Sequence, residues 1–127
     1  MKKLFLTIAA LAAASACTAA AQPNEHRGAH AGRAECTIDV TRTRHGVRFE
    51  ALARSFAPAS GEYELVLTKH DRGGSSDIVQ GGAYRLAAGD ENLLGSSELS
   101  LERGGRYRAR LVLWDGDREV CRAVRRS

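Results

Sequence analysis

Tyr107, Ala109, Leu111 and Leu113 alternate with Arg106, Arg108, Arg110 and Val112. A period of two sends one set to each side of an extended strand, so this segment buries one face, shows arginine on the other, and needs a second layer to cover its apolar side. The pattern recurs upstream. Cys36, Ile38 and Val40 alternate with Thr37, Asp39 and Thr41 up to a turn at His45-Gly46. Val47, Phe49, Ala51 and Ala53 continue as far as Ala57-Pro58-Ala59-Ser60-Gly61, and Tyr63, Leu65 and Leu67 alternate with Glu62, Glu64 and Val66.

The remaining punctuation has the same scale. Asp71 to Ser76 is read as a loop, because its glycines reach backbone angles closed to other residues. Asp77 to Gln80 and Ala83 to Leu86 are expected as short extended pieces on either side of a bulge or kink at Gly81-Gly82. Asn92 to Leu101 is a further strand with an irregularity at Gly95-Ser96. Asp115-Gly116-Asp117 is a hairpin turn, and Glu119 to Arg125 returns as the last strand. No helical stripe of useful length interrupts the series. Strands every ten residues or so predict an all-β, seven-stranded immunoglobulin-like β-sandwich, with a small closed barrel as the alternative architecture.

Before these strands lies a segment of another kind. Met1, Lys2 and Lys3 precede an apolar run, Leu4 to Ala14, too short to span a bilayer, which is the pattern of an export signal peptide. Cleavage after Ala19-Ala20-Ala21 gives a signal peptide of residues 1–21, a polar arm over 22–34 and a domain over 35–127. The alternative is lipidation at Cys17, since Ala14-Ser15-Ala16-Cys17 loosely resembles a lipobox, although Ala14 stands where leucine is usual. The first route leaves a periplasmic protein without stable membrane insertion. The second leaves an envelope lipoprotein whose sandwich serves adhesion or envelope assembly.

Export also gives the cysteines their meaning. Cys17 belongs to the leader, which leaves Cys36 and Cys121 near the two ends of the domain in a compartment that oxidises thiols. A bond between them is expected, contributing about 4 to 5 kcal/mol on the chain-entropy account of a loop of that length. There is no C-x-x-C, which argues against a thioredoxin-like role. Loss of Lys2 and Lys3 with the leader takes the chain from 19 to 17 Lys+Arg against 15 Asp+Glu, a net charge of only +2.

No constellation for catalysis emerges. His26 and His30 lie four apart with Glu25 beside them, but they sit in the polar arm, where ordering ligands costs entropy, and no metal or other cofactor is assigned. His45 and His70 border turns and read as solvated. A nucleophile elbow and a strand-to-helix phosphate loop are both missing from the sequence.

The remaining candidate is a surface. Arg106, Arg108 and Arg110 share one strand face, a cationic strip joined by Arg122 or Arg125 according to the hairpin register. A three-residue turn sets Cys121 beside Leu111 and Arg122 beside Arg110, and is favoured; a two-residue turn sets Cys121 beside Val112. Such a row also serves the ordinary purpose of keeping a sheet soluble. Its functional reading is attraction of an acidic partner. Low aromatic content and the compartment speak against nucleic acid.

Ser75-Ser76-Asp77-Ile78-Val79-Gln80-Gly81-Gly82, preceded by Tyr63 to Lys69 and followed by Arg106 to Leu111, resembles the CsgC-like family of curli assembly proteins. The resemblance runs from about Glu35 to Arg125. It implies an immunoglobulin-like sandwich in the periplasm, acting as a monomeric, cofactor-free, chaperone-like inhibitor of amyloid formation. The implied partner is an unfolded, acidic curli-type subunit, met before secretion. One branch of that family carries a C-x-C pair that suggests redox activity. The present chain lacks the pair.

Overall fold

The computed structural model describes residues 34–127; the expected signal peptide and the expected arm up to residue 33 lie outside the described residues. Seven strands follow one another: β1 (Ala34–Arg42), β2 (Gly46–Ser55), β3 (Ala59–Asp71), β4 (Gly74–Leu86), β5 (Glu91–Ser100), β6 (Arg106–Asp115) and β7 (Arg118–Arg126). They form two antiparallel sheets, β1-β2-β5 and β4-β3-β6-β7. This is the immunoglobulin-like sandwich that the period of two predicts, and not a closed barrel. Ala34, read as the end of the arm, is already the buried first residue of β1.

The alternating residues meet between the sheets. Ile38, Val47, Phe49 and Ala51 from one sheet and Leu65, Leu67, Ala109, Leu111 and Leu113 from the other are buried to 1% exposure or less. At the centre Phe49 of β2 meets Tyr107 of β6 edge to face, with ring centroids 5.0 Å apart. Such a pair adds about 0.5 to 1.5 kcal/mol beyond the area it buries.

The open sides of the sandwich are closed by different means. β1 and β7 are the edge strands on one side, and Cys36 and Cys121 join them, with Cα atoms 6.0 Å apart. The bond therefore ties the two ends of the domain, as expected, and does so by bridging one sheet to the other at their rims. On the opposite side, the Gln80 side chain of β4 donates to the Ser96 carbonyl of β5, and the Asn92 side chain of β5 donates to the Arg85 carbonyl of β4, each at 3.2 Å.

Three local expectations need correction. Residues 71–76 do not form a long loop: β3 and β4 pair through to Asp71 and Gly74, leaving a tight turn at Arg72-Gly73. Gly81-Gly82 is no kink either, because β4 runs unbroken over thirteen residues. Tyr63 of β3 faces both glycines: a Cβ on Gly81 would stand only 3.1 Å from its carbonyl oxygen, whereas one on Gly82 would make an ordinary 3.4 Å contact with its ring. The β6–β7 hairpin obeys neither anticipated register. Asp115 faces Arg118 and Trp114 faces Glu119, but Leu113 faces Cys121, so Val120 is an extra residue in β7. A bulge of this kind restores Cys121 to the core side despite a two-residue turn.

Candidate functional site

The outer face of the four-stranded sheet carries the candidate residues. Arg106, Arg108 and Arg110 do line one face of β6. Their neighbours on β3 are His70, Thr68 and Val66, and on β7 Arg126 lies opposite Arg108 and Val124 opposite Arg110. Arg122 shares this face but sits one row on, opposite Val112 rather than beside Arg110. The two-residue turn and the bulge at Val120 each shift the register by one residue and together cause that displacement. Arg125, the other residue considered for the strip, lies opposite Ala109 and reaches around the rim of the sandwich, donating from Nε to the Ile38 carbonyl at 3.0 Å.

Ion pairing divides the arginines further. Arg110 pairs with Glu64 at 3.3 Å, and Arg122 is held by Glu119. Both pairs are exposed, so each contributes about 1 kcal/mol or less to stability, but each also quenches local charge. Among the described residues Arg106, Arg108 and Arg126 have no acidic partner. Arg126 was missed in the sequence because the last strand was ended one residue early. An arginine two positions beyond Val124 was the available signal.

Beside the free arginines the sheet is unexpectedly apolar. Val79, Val66, Arg110 and Val124 form a row across all four strands, and Val79 and Val124 are 65% and 39% exposed. A shallow groove of about 190 Å³ lies between Val66, Thr68, Arg108 and Arg110. The face therefore offers cations together with accessible methyl groups, a combination that suits an extended chain of mixed composition.

Charge is also sorted along the strands. The end formed by the β1–β2, β3–β4 and β5–β6 connections bears Arg42, Arg44, Arg72 and Arg103, beside Arg106, Arg108 and Arg126 on the adjoining strand ends. The opposite end bears Glu35, Glu62, Asp90, Glu91, Asp115, Asp117 and Glu119; of its arginines, Arg54, Arg118 and Arg122 are paired to Glu35, Asp115 and Glu119, and Arg85 has no acidic partner among the described residues. A nearly neutral domain thus has one cationic and one anionic end.

Asp71 braces the cationic end. Its carboxylate accepts the backbone N–H of Glu102 at 3.1 Å, that of Gly73 at 2.9 Å, and the Lys69 ammonium at 3.3 Å. The bond from Glu102, with help from Lys69 and Gly73, holds this carboxyl below the ordinary aspartate value despite its desolvation. Lys69 donates in turn to the Ser100 carbonyl at 2.7 Å, linking β3 to β5. Among the described residues no group of three or more His, Cys, Asp or Glu could hold a metal ion, and no helix is long and apolar enough to cross a membrane. His26, His30 and Cys17 lie outside the described residues.

Architecture and staple together define a small immunoglobulin-like β-sandwich whose two rims at β1 and β7 are joined by a disulfide. Two solved structures share that fold. The solution structure of R. palustris CsgH superposes with a TM-score of 0.59 at 23% identity, covering 72% of this chain and 89% of CsgH. The E. coli curli protein CsgC gives a TM-score of 0.61 at 13% identity, over 73% of this chain and 96% of CsgC. The chain is thus CsgH- and CsgC-like in fold. No protein-family model and no curated protein matches it.

Proposed function

We propose that the protein is a periplasmic, chaperone-like inhibitor that engages unfolded, acidic curli-type amyloid subunits before they are secreted. The observation that carries this reading is the trio Arg106, Arg108 and Arg126, left without acidic partners on the exposed face of a sandwich that shares its fold with CsgH and CsgC. Unpaired charges on a rigid sheet speed encounter with an acidic chain, and the neighbouring valines retain it briefly. Amyloid nucleation requires several such chains to align as strands. A subunit held singly on a folded surface is removed from that step. Neither a cofactor nor a nucleotide enters this mechanism.

The test is the thioflavin lag of a curli subunit with and without the protein. Arg106→Glu, Arg108→Glu and Arg126→Glu combined should return the lag to that of the subunit alone, with the fold verified by circular dichroism. Arg110→Glu alone should do much less, because Glu64 already offsets that charge. Full inhibition by the folded triple variant would overturn the reading. Recovery of the soluble protein from the periplasm, with Gln22 as its first residue, would separate it from a Cys17-anchored lipoprotein.

A further inference from the structure

A cleft roomier than the groove on the sheet face lies elsewhere. It opens at the cationic end, between Arg42 to Val47 on one wall and Leu101 to Gly105 on the other, with a volume of about 580 Å³. Backbone bonds form it in advance. The Thr43 N–H donates to the Gly46 carbonyl at 2.9 Å, the Leu101 N–H donates across the walls to the His45 carbonyl at 3.2 Å, and the Gly105 N–H closes a turn on the Glu102 carbonyl at 2.9 Å. Gly104 occupies the left-handed region at φ +80°, which favours glycine. A Cβ on Gly105 would fall 2.7 Å from Leu101 and 2.8 Å from Asp71, so the loop is drawn in as tightly as a glycine permits.

Arg42, Arg44 and Arg103 line this cleft together with His45, and none of the three arginines has an acidic partner among the described residues. The one acid in the lining is Glu102. Its carboxylate lies near the β3–β4 turn, 3.5 Å from where a Cβ on Gly73 would stand. The backbone N–H groups of Arg103 and Gly104 donate to no other group among the described residues. Three arginines without acidic partners, and two backbone amides without a bonded acceptor, in the lining of one preformed hollow exceed what a single carboxylate can use. They match a tetrahedral group with several charged oxygens.

We propose that this cleft is an oxyanion site for a phosphate-bearing ligand, with a phosphomonoester or diphosphate group seated among Arg42, Arg44 and Arg103. The site is separate from the arginine face of β6 and stands whether or not that face engages amyloid subunits. Its volume falls within the range of small-molecule sites, about 300 to 1,000 Å³.

Calorimetric titration of the full chain with inorganic pyrophosphate tests the assignment. Binding should weaken as salt is raised. Arg44→Ala with Arg103→Ala should weaken it about a hundredfold, as loss of two charge-assisted bonds predicts, whereas Arg106→Ala with Arg108→Ala should leave it unchanged. Sedimentation with phosphatidic acid vesicles, whose headgroup is a phosphomonoester, against phosphatidylcholine vesicles, distinguishes the source of the phosphate. Vesicle binding lost in the Arg44/Arg103 variant assigns a lipid headgroup, and pyrophosphate binding alone assigns a free phosphate ligand. Failure to bind either probe, binding indifferent to the Arg44/Arg103 pair, or preference for an oligoglutamate peptide over pyrophosphate would each overturn the proposal.

Discussion

The Arg125 guanidinium donates to the backbone carbonyl of Ile38, so a side chain from the edge strand of one sheet occupies an acceptor on the edge strand of the other. Gln80 and Asn92 act likewise on the Ser96 and Arg85 carbonyls at the far rim. Exposed strand edges recruit further strands, and satisfying their carbonyls from within is one way to blunt them. Removing all three guards, as Arg125→Ala, Gln80→Ala and Asn92→Ala, should leave the domain folded, at a cost of about 1 kcal/mol per bond. It should also make the domain self-associate. Sedimentation velocity would show oligomers absent from the parent, and a strictly monomeric triple variant would contradict the role.

The Cys36–Cys121 bond joins positions 85 residues apart and should supply about 4 to 5 kcal/mol by restricting the unfolded chain. Urea unfolding with and without reductant, or of a Cys36→Ser/Cys121→Ser variant, measures this directly. The midpoint should fall by a large fraction of the whole stability of so small a domain. An unchanged midpoint would mean that the rim holds without its staple.

Acid should loosen the cationic end first. The Asp71 carboxyl titrates below its ordinary value of 3.8 in the folded protein. Its stabilising contribution is therefore complete above that value and is lost as pH falls through it toward the lower folded value. Asp71→Asn should reduce stability at neutral pH. The gap between variant and parent in urea midpoint should close as pH drops below about 4. A gap independent of pH would show that the negative charge is immaterial.

Ser55 offers the opposite case. Its side chain is buried at 1% exposure and its hydroxyl has no hydrogen-bond partner among the described residues, although its backbone carbonyl accepts from Gly89. Burying an unpaired hydroxyl is costly, so Ser55→Ala should leave stability unchanged or raise it by about 1 kcal/mol. A fall in melting temperature would expose a partner for the hydroxyl.

Legibility in the sequence followed the range of the interaction concerned. The two-residue period of Tyr107 to Leu113 reports which side of a strand is wet, and this local fact was enough to order seven strands into a sandwich. Gly81-Gly82 misled because the close approach there is of the Tyr63 carbonyl to Gly81, which comes about only after β3 and β4 have paired. Arg122 was placed one row wrong because the turn is one residue shorter than expected and Val120 adds a single residue to β7, and no composition marks either. The cleft was invisible for the same cause: Arg42 and Arg44 become neighbours of Arg103 only through the bond from Leu101 to His45. Read singly, His45 and its arginines are ordinary turn residues.

The sorting of charge toward opposite ends has a consequence for how the molecule travels. A body with little net charge feels almost no pull toward a charged neighbour as a whole, but it does feel a torque. Close to an acidic chain or an anionic surface, the domain would turn before it touches, bringing forward the end with Arg42, Arg103 and Arg106 and trailing the end with Glu62 and Asp117. Every encounter would then begin in nearly the same pose, and what is caught would be decided by one end of the sandwich alone.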